Sequence, residues 1–116
     1  MVQITMQLPD QLAGQLLPAR RWLAAVLELS LARLKTPAAE TSSEIIDFLL
    51  ANPTQHEVSA YHASDRAQRR LQRLLALNEA SLLSEAEQAE LSELERIEHI
   101  LIMLKAQVAV QGQPGD

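Results

Sequence analysis

The side chains able to do chemistry are few and scattered. The three histidines are His56, His62 and His99, and no pair of them has the spacing of a helical zinc site. Glu98-His99 is an acid beside a base, but adjacent residues on a helix point in different directions. His56, Glu57, Tyr61 and His62 form the densest polar group. No nucleophile sits beside a positioned base, and no Gly-rich loop is present to cradle phosphate. There is no Cys, which excludes disulfides and thiolate metal sites. The chain reads as a non-enzyme without metal or cofactor.

A different chemistry is available at Gln3, Thr5 and Gln7. Uncharged amides and hydroxyls read base edges in the DNA major groove when a two-stranded ribbon carries them, and Gln pairs well with adenine. Arg20 and Arg21 follow as candidate phosphate contacts. The same three polar side chains also suit the solvated outer face of a dimer ribbon.

These residues need elements to carry them. Residues 2–8 alternate strictly, with Val2, Ile4, Met6 and Leu8 apolar and Gln3, Thr5 and Gln7 polar. That is the period of a strand with one face buried. A lone strand has unpaired N–H and C=O groups, and no second strand is visible in the chain. The simplest partner is the same strand of a second copy, paired about a two-fold axis. Dimerisation is therefore assigned to Ile4, Met6 and Leu8, with Leu27 and Leu31 behind them.

Pro9-Asp10 starts a first helix that Pro18 ends early. A second helix is expected from Trp22 to Leu34, with Leu23, Val26, Leu27, Leu31 and Leu34 on one face. Pro37 stops it, and the small polar run Ala38–Ser43 reads as a linker. Capping-box spacings recur at Thr41–Glu44, Thr54–Glu57 and Ser84–Glu87. The first opens a short helix through Leu50; the second leaves room for about a turn, with 58–62 irregular. Ser64-Asp65 opens a helix carrying Leu71, Leu74 and Leu75, with Asn78 as its C-terminal cap. Leu91, Leu94, Ile97, Ile100, Leu101 and Leu104 mark a last helix to about Val110, and residues 111–116 form a tail.

The expected fold is mainly α: a strand and two helices over 1–36, a linker with a short helix over 37–63, and a helical hairpin over 64–110. The 47% apolar content is dominated by Leu and Ala, in keeping with helices. The net charge of −5 is uneven, at +2 over residues 1–35, −1 over 36–78 and −6 over 79–116. A mildly basic head and an acidic tail suggest two surfaces with different partners. Glu87, Glu90, Glu93 and Glu95 are assigned to a partner-binding outer face of the last helix, or to ion pairs with Arg66, Arg69, Arg70 and Arg73. No apolar run is long enough to span a membrane, and no signal peptide is apparent, so a cytoplasmic location is expected.

The stretch Ile4-Thr5-Met6-Gln7-Leu8-Pro9-Asp10-Gln11-Leu12 resembles the start of a ribbon–helix–helix DNA-binding domain, the fold of many antitoxins and small repressors. The whole chain is similar to a group of small cyanobacterial antitoxin-like proteins. That likeness is carried by Leu27-Glu28-Leu29, Asn52-Pro53-Thr54, Leu74–Asn78, Ser84–Glu87 and Glu98-His99-Ile100. The resemblance implies an antitoxin-type regulator that dimerises through its ribbon, binds operator DNA and neutralises a toxin through its C-terminal helices. The alternative is a non-catalytic helical adaptor or assembly factor that dimerises without DNA.

Overall fold

The structure, a computed structural model, describes residues 2–111. Six α-helices and one 3₁₀ stretch follow in order: α1 (Asp10–Leu16), the 3₁₀ stretch (Leu17–Trp22), α2 (Leu23–Leu31), α3 (Ala38–Leu50), α4 (Gln55–Ala60), α5 (Asp65–Glu79) and α6 (Glu85–Gln111). α6 is the axis of the molecule. Its 27 residues make a rod about 40 Å long. Leu91, Leu94, Ile97, Ile100, Leu104 and Val108 recur at three- and four-residue steps and are all buried. α2, α3, α4 and α5 each pack against α6. One core results, in which Trp22, Val26 and Leu29 from α2 and its approach join Ile45 and Leu49 of α3, Val58 of α4 and Leu74 of α5. Residues that the sequence divides between head, linker and hairpin thus share a single core.

The expected N-terminal strand is absent, and with it the ribbon. No described residue forms a strand, and residues 2–9 belong to no regular element. Val2, Ile4 and Met6 are 87%, 81% and 69% exposed. Alternation creates a strand only when a neighbouring strand supplies the hydrogen-bond ladder; the first backbone bond in this region is Ala13 N–H to the Pro9 carbonyl at 2.9 Å. α1 buries none of its residues. The mainly helical class stands; the strand-containing head does not.

Two helix assignments also change. α3 begins at Ala38, so the expected linker 38–43 is its first two turns. Thr36 starts the helix: its hydroxyl accepts from Ala38 N–H at 3.2 Å and its carbonyl from Ala39 N–H at 3.0 Å. Pro37 opens α3 rather than ending α2, which stops at Leu31 with Arg33 in the left-handed conformation; the fixed φ of Pro37 suits a helix start. The Thr41–Glu44 spacing falls inside α3, where Ser42 is buried. α2 ends at Leu31, and its inward face is Ala25, Val26 and Leu29. Leu27 and Leu31 point away, 57% and 72% exposed.

The other two capping boxes form. Thr54 Oγ1 accepts from Glu57 N–H while the Glu57 carboxylate accepts from Thr54 N–H, both at 3.1 Å. Ser84 and Glu87 repeat this at 3.2 and 3.0 Å. α4 then runs to Ala60, so the expected irregular stretch is helical as far as that, and Val58 is fully buried. α5 ends one residue beyond Asn78: Ser81 takes the left-handed conformation, and Leu82 N–H reaches the Leu77 carbonyl at 2.9 Å.

The N-terminal part is anchored by Trp22. Its indole is buried and its Nε1–H donates to the Pro53 carbonyl at 3.0 Å. This one bond ties the 3₁₀ stretch to the α3–α4 turn. Trp22→Phe keeps the apolar bulk and strands that carbonyl, so we expect a loss of about 1–3 kcal/mol in urea unfolding with an unchanged m-value.

Candidate partner-binding surfaces

Three of the four acids assigned to the outer face of α6 are occupied within the chain. Glu87 caps its own helix, and the hydrogen bond from Ser84 N–H holds its carboxyl below the usual range. Glu90 is 5% exposed and so does not face solvent. It accepts from Arg70 Nε and Nη2, both at 2.8 Å, in a two-pronged pair linking α5 to α6. Those bonds hold the Arg70 guanidinium more firmly protonated than usual. Glu93 accepts from Lys35 N–H, Thr36 N–H and the Thr36 hydroxyl at 3.0, 3.1 and 2.9 Å. Burial pushes its carboxyl up, but the bonds from Lys35 and Thr36 outweigh burial and leave it below the ordinary value. Of the assigned four, Glu95 alone is exposed without a bond or ion pair.

Of the arginines, only Arg70 pairs with an acid of α6. Arg66 reaches instead to Glu40 of α3 at 3.1 Å, with both side chains largely in solvent. Arg69 and Arg73 meet no acid within ion-pair distance. All four line a trough of about 460 Å³ between the first half of α3 and α5, and Glu90 and Leu94 of α6 lie at its base. The sequence placed the unspent charge on the acidic face of α6. The structure places it on α5, with the opposite sign.

A second surface is apolar. α2 is hydrophobic nearly all round, and its core-facing stripe is Ala25, Val26 and Leu29. The opposite stripe is Ala24, Leu27 and Leu31, all exposed, and Leu17 ahead of α2 is exposed as well. Ile4 and Met6, assigned to dimerisation, are exposed, and Leu8 is half-buried.

The residues assigned to DNA are not gathered into one surface by any regular element. Gln3, Thr5 and Gln7 are exposed on the irregular segment. Arg20 and Arg21 line a shallow depression with Pro18 and the Asn52–Thr54 turn. The Arg21 guanidinium lies 5.5 Å from the centre of the Trp22 ring.

The polar group at 56–62 is partly structural. Glu57 is the cap of α4, Tyr61 stacks on Phe48 with ring centres 4.5 Å apart, and the Tyr61 carbonyl accepts from Lys105 Nζ. Burial raises the Tyr61 hydroxyl above its ordinary value. Among the described residues, no group of His, Asp and Glu side chains is placed to hold a metal ion. No described helix is long and apolar enough to cross a membrane.

No family model matches the chain, and neither a curated protein nor a solved structure gives a match.

Glu93 gives a measurable pH dependence. A carboxyl with a lowered folded-state value stabilises the fold above its unfolded value of 4.5 and loses that contribution as pH falls through the folded value. Glu93→Gln removes the charge and keeps one acceptor. We expect it to cost about 1–2 kcal/mol at neutral pH, with the gap from the wild type closing as the pH falls below 4.5. Parallel urea titrations across that range read it directly.

Proposed function

We propose that the protein is a non-catalytic helical adaptor that self-associates and holds other proteins. The observation supporting this is the double-sided α2. A helix that is apolar all round is stable in water when both faces are covered. Within one chain α2 covers one face only, and Leu27 and Leu31 stand out of the other a single turn apart. A stripe of this kind is self-complementary about a two-fold axis, where the small Ala24 lets two helices approach closely.

Operator reading has less support. Base reading by Gln3, Thr5 and Gln7 needs two strands side by side in the groove, and the described residues contain no strand. Neutralising a toxin through α5 and α6 is a special case of the adaptor reading, with the toxin as the partner held.

Sedimentation equilibrium tests the self-association. The wild type should form a dimer whose share grows with concentration. Leu27→Asp combined with Leu31→Asp should remain monomeric with unchanged helicity, since neither residue supports the core. A wild type that stays monomeric at every concentration, or a double variant that still dimerises, removes this reading.

A further inference from the structure

Within the arginine-lined trough the Arg70–Glu90 pair and Leu94 hold the fold together; Arg69 and Arg73 have no such role. We propose that the trough is a docking site for an acidic, amphipathic peptide segment of a partner protein. This rests on the adaptor reading and supplies the partner's chemistry.

The trough exists because α3 and α5 both pack on α6 and diverge from each other. One wall is α5, where Arg66, Arg69, Arg70 and Arg73 stand at steps of three and four residues along one stripe. The stripe is about 10 Å long, which matches carboxylates carried at the same steps by a partner helix. Apolar surface comes from Ala67 on the same wall, Leu94 at the base and Ala38 on the far wall, where Glu40 and Glu44 of α3 also stand and set the side on which the segment's acids cannot lie. Apolar side chains of a segment would enter there while its acids meet the arginines.

The four arginines are in different states. Arg70 is fixed by Glu90, which is itself buried, so its guanidinium is held in place at the base. Arg69 and Arg73 are exposed and carry no ion pair. Arg66 bridges the mouth to Glu40, with side chains 82% and 62% exposed. A bridge this open contributes about 0–1 kcal/mol at most and gives way readily to a better-placed carboxylate. The site therefore offers two cations outside any ion pair, of which Arg73 also feels the Glu87 carboxylate, and a third held by a weak strap. Arginine suits the role, since its planar fork takes a carboxylate with two hydrogen bonds.

A nucleic acid fits less well than a peptide. A concave trough with apolar surface at Ala38, Ala67 and Leu94 admits side chains and excludes a duplex.

The experiment uses the full chain and a fluorescein-labelled peptide with Glu and Leu alternating in pairs, followed by anisotropy. Saturable binding that weakens as salt rises is expected. Arg69→Glu with Arg73→Glu should weaken it by roughly tenfold or more. Arg20→Glu with Arg21→Glu, which changes net charge equally at a distant site, should leave it within about twofold of the wild type. Circular dichroism confirms that both variants stay helical. Absence of binding, equal losses in the two double variants, or a single-stranded oligonucleotide that binds more tightly than the peptide and displaces it, would each overturn the proposal. The self-association reading fails separately: the Leu27→Asp, Leu31→Asp monomer should bind the peptide as the wild type does. A dimer that ignores the peptide would retain self-association and lose this site.

Discussion

Everything in this molecule depends on the apolar stripe of α6 being covered. A solitary amphipathic helix of 27 residues cannot bury its own leucines. Four other helices do so, each over part of its length, and none is long. α2 and α4 are under the length at which a helix holds its shape in water, so their conformation follows from packing on α6 rather than from propensity. The polar bonds that matter most converge on the same rod. Glu90 fixes α5 through Arg70, Glu93 fixes the α2–α3 connection through Lys35 and Thr36, and Arg96 donates to the Ala32 carbonyl at 3.2 Å where α2 ends. α6 is thus the hydrophobic axis and also the element that sets the register of its neighbours.

This arrangement gives the acidic residues a use that charge counting does not reveal. Glu87, Glu90 and Glu93 lie on an acidic stretch, and each is bound inside the chain. The Arg70–Glu90 pair, buried on the Glu90 side and partly open to water on the Arg70 side, adds little net stability, because Glu90 gives up water to form it. It does allow one alignment of α5 against α6 and penalises a slip along the helix, which would leave a carboxylate buried alone. Positive charge is left over on α5 because the acids that might have balanced it are engaged elsewhere.

What the sequence revealed follows from the range of the forces involved. The Thr54–Glu57 and Ser84–Glu87 boxes lie within four residues, and both form as their spacing predicts. The buried stripe of α6 was legible for the same reason, since polar residues clearly mark its other side. The same spacing at Thr41–Glu44 misled, because Thr36 starts that helix earlier and pulls Ser42 into the core. The expected face of α2, with Val26, Leu27 and Leu31 together, is half right: Val26 is inward, but Leu29 takes the inner place and Leu27 and Leu31 face out, because with apolar residues nearly all round periodicity cannot fix the stripe. The strand failed because alternation is local while strand pairing is not. The roles of Glu90 and Glu93 were hidden because their partners lie 20 and 57 residues away.

The place of α6 in chain order has a consequence for how the protein is made. α2, α3 and α4 leave the ribosome before the rod they pack on, and until it follows they have no core to join. Trp22, Leu29, Ile45, Leu49 and Val58 must wait for partners between residues 91 and 108. Folding is therefore a late, collective event rather than a progressive one, and the chain spends its synthesis with its apolar side chains in reach of chaperones. Loss of the last turns of α6 would take Leu104 and Val108 from the core that Trp22, Val26 and Leu29 share, and so would reach back to α2.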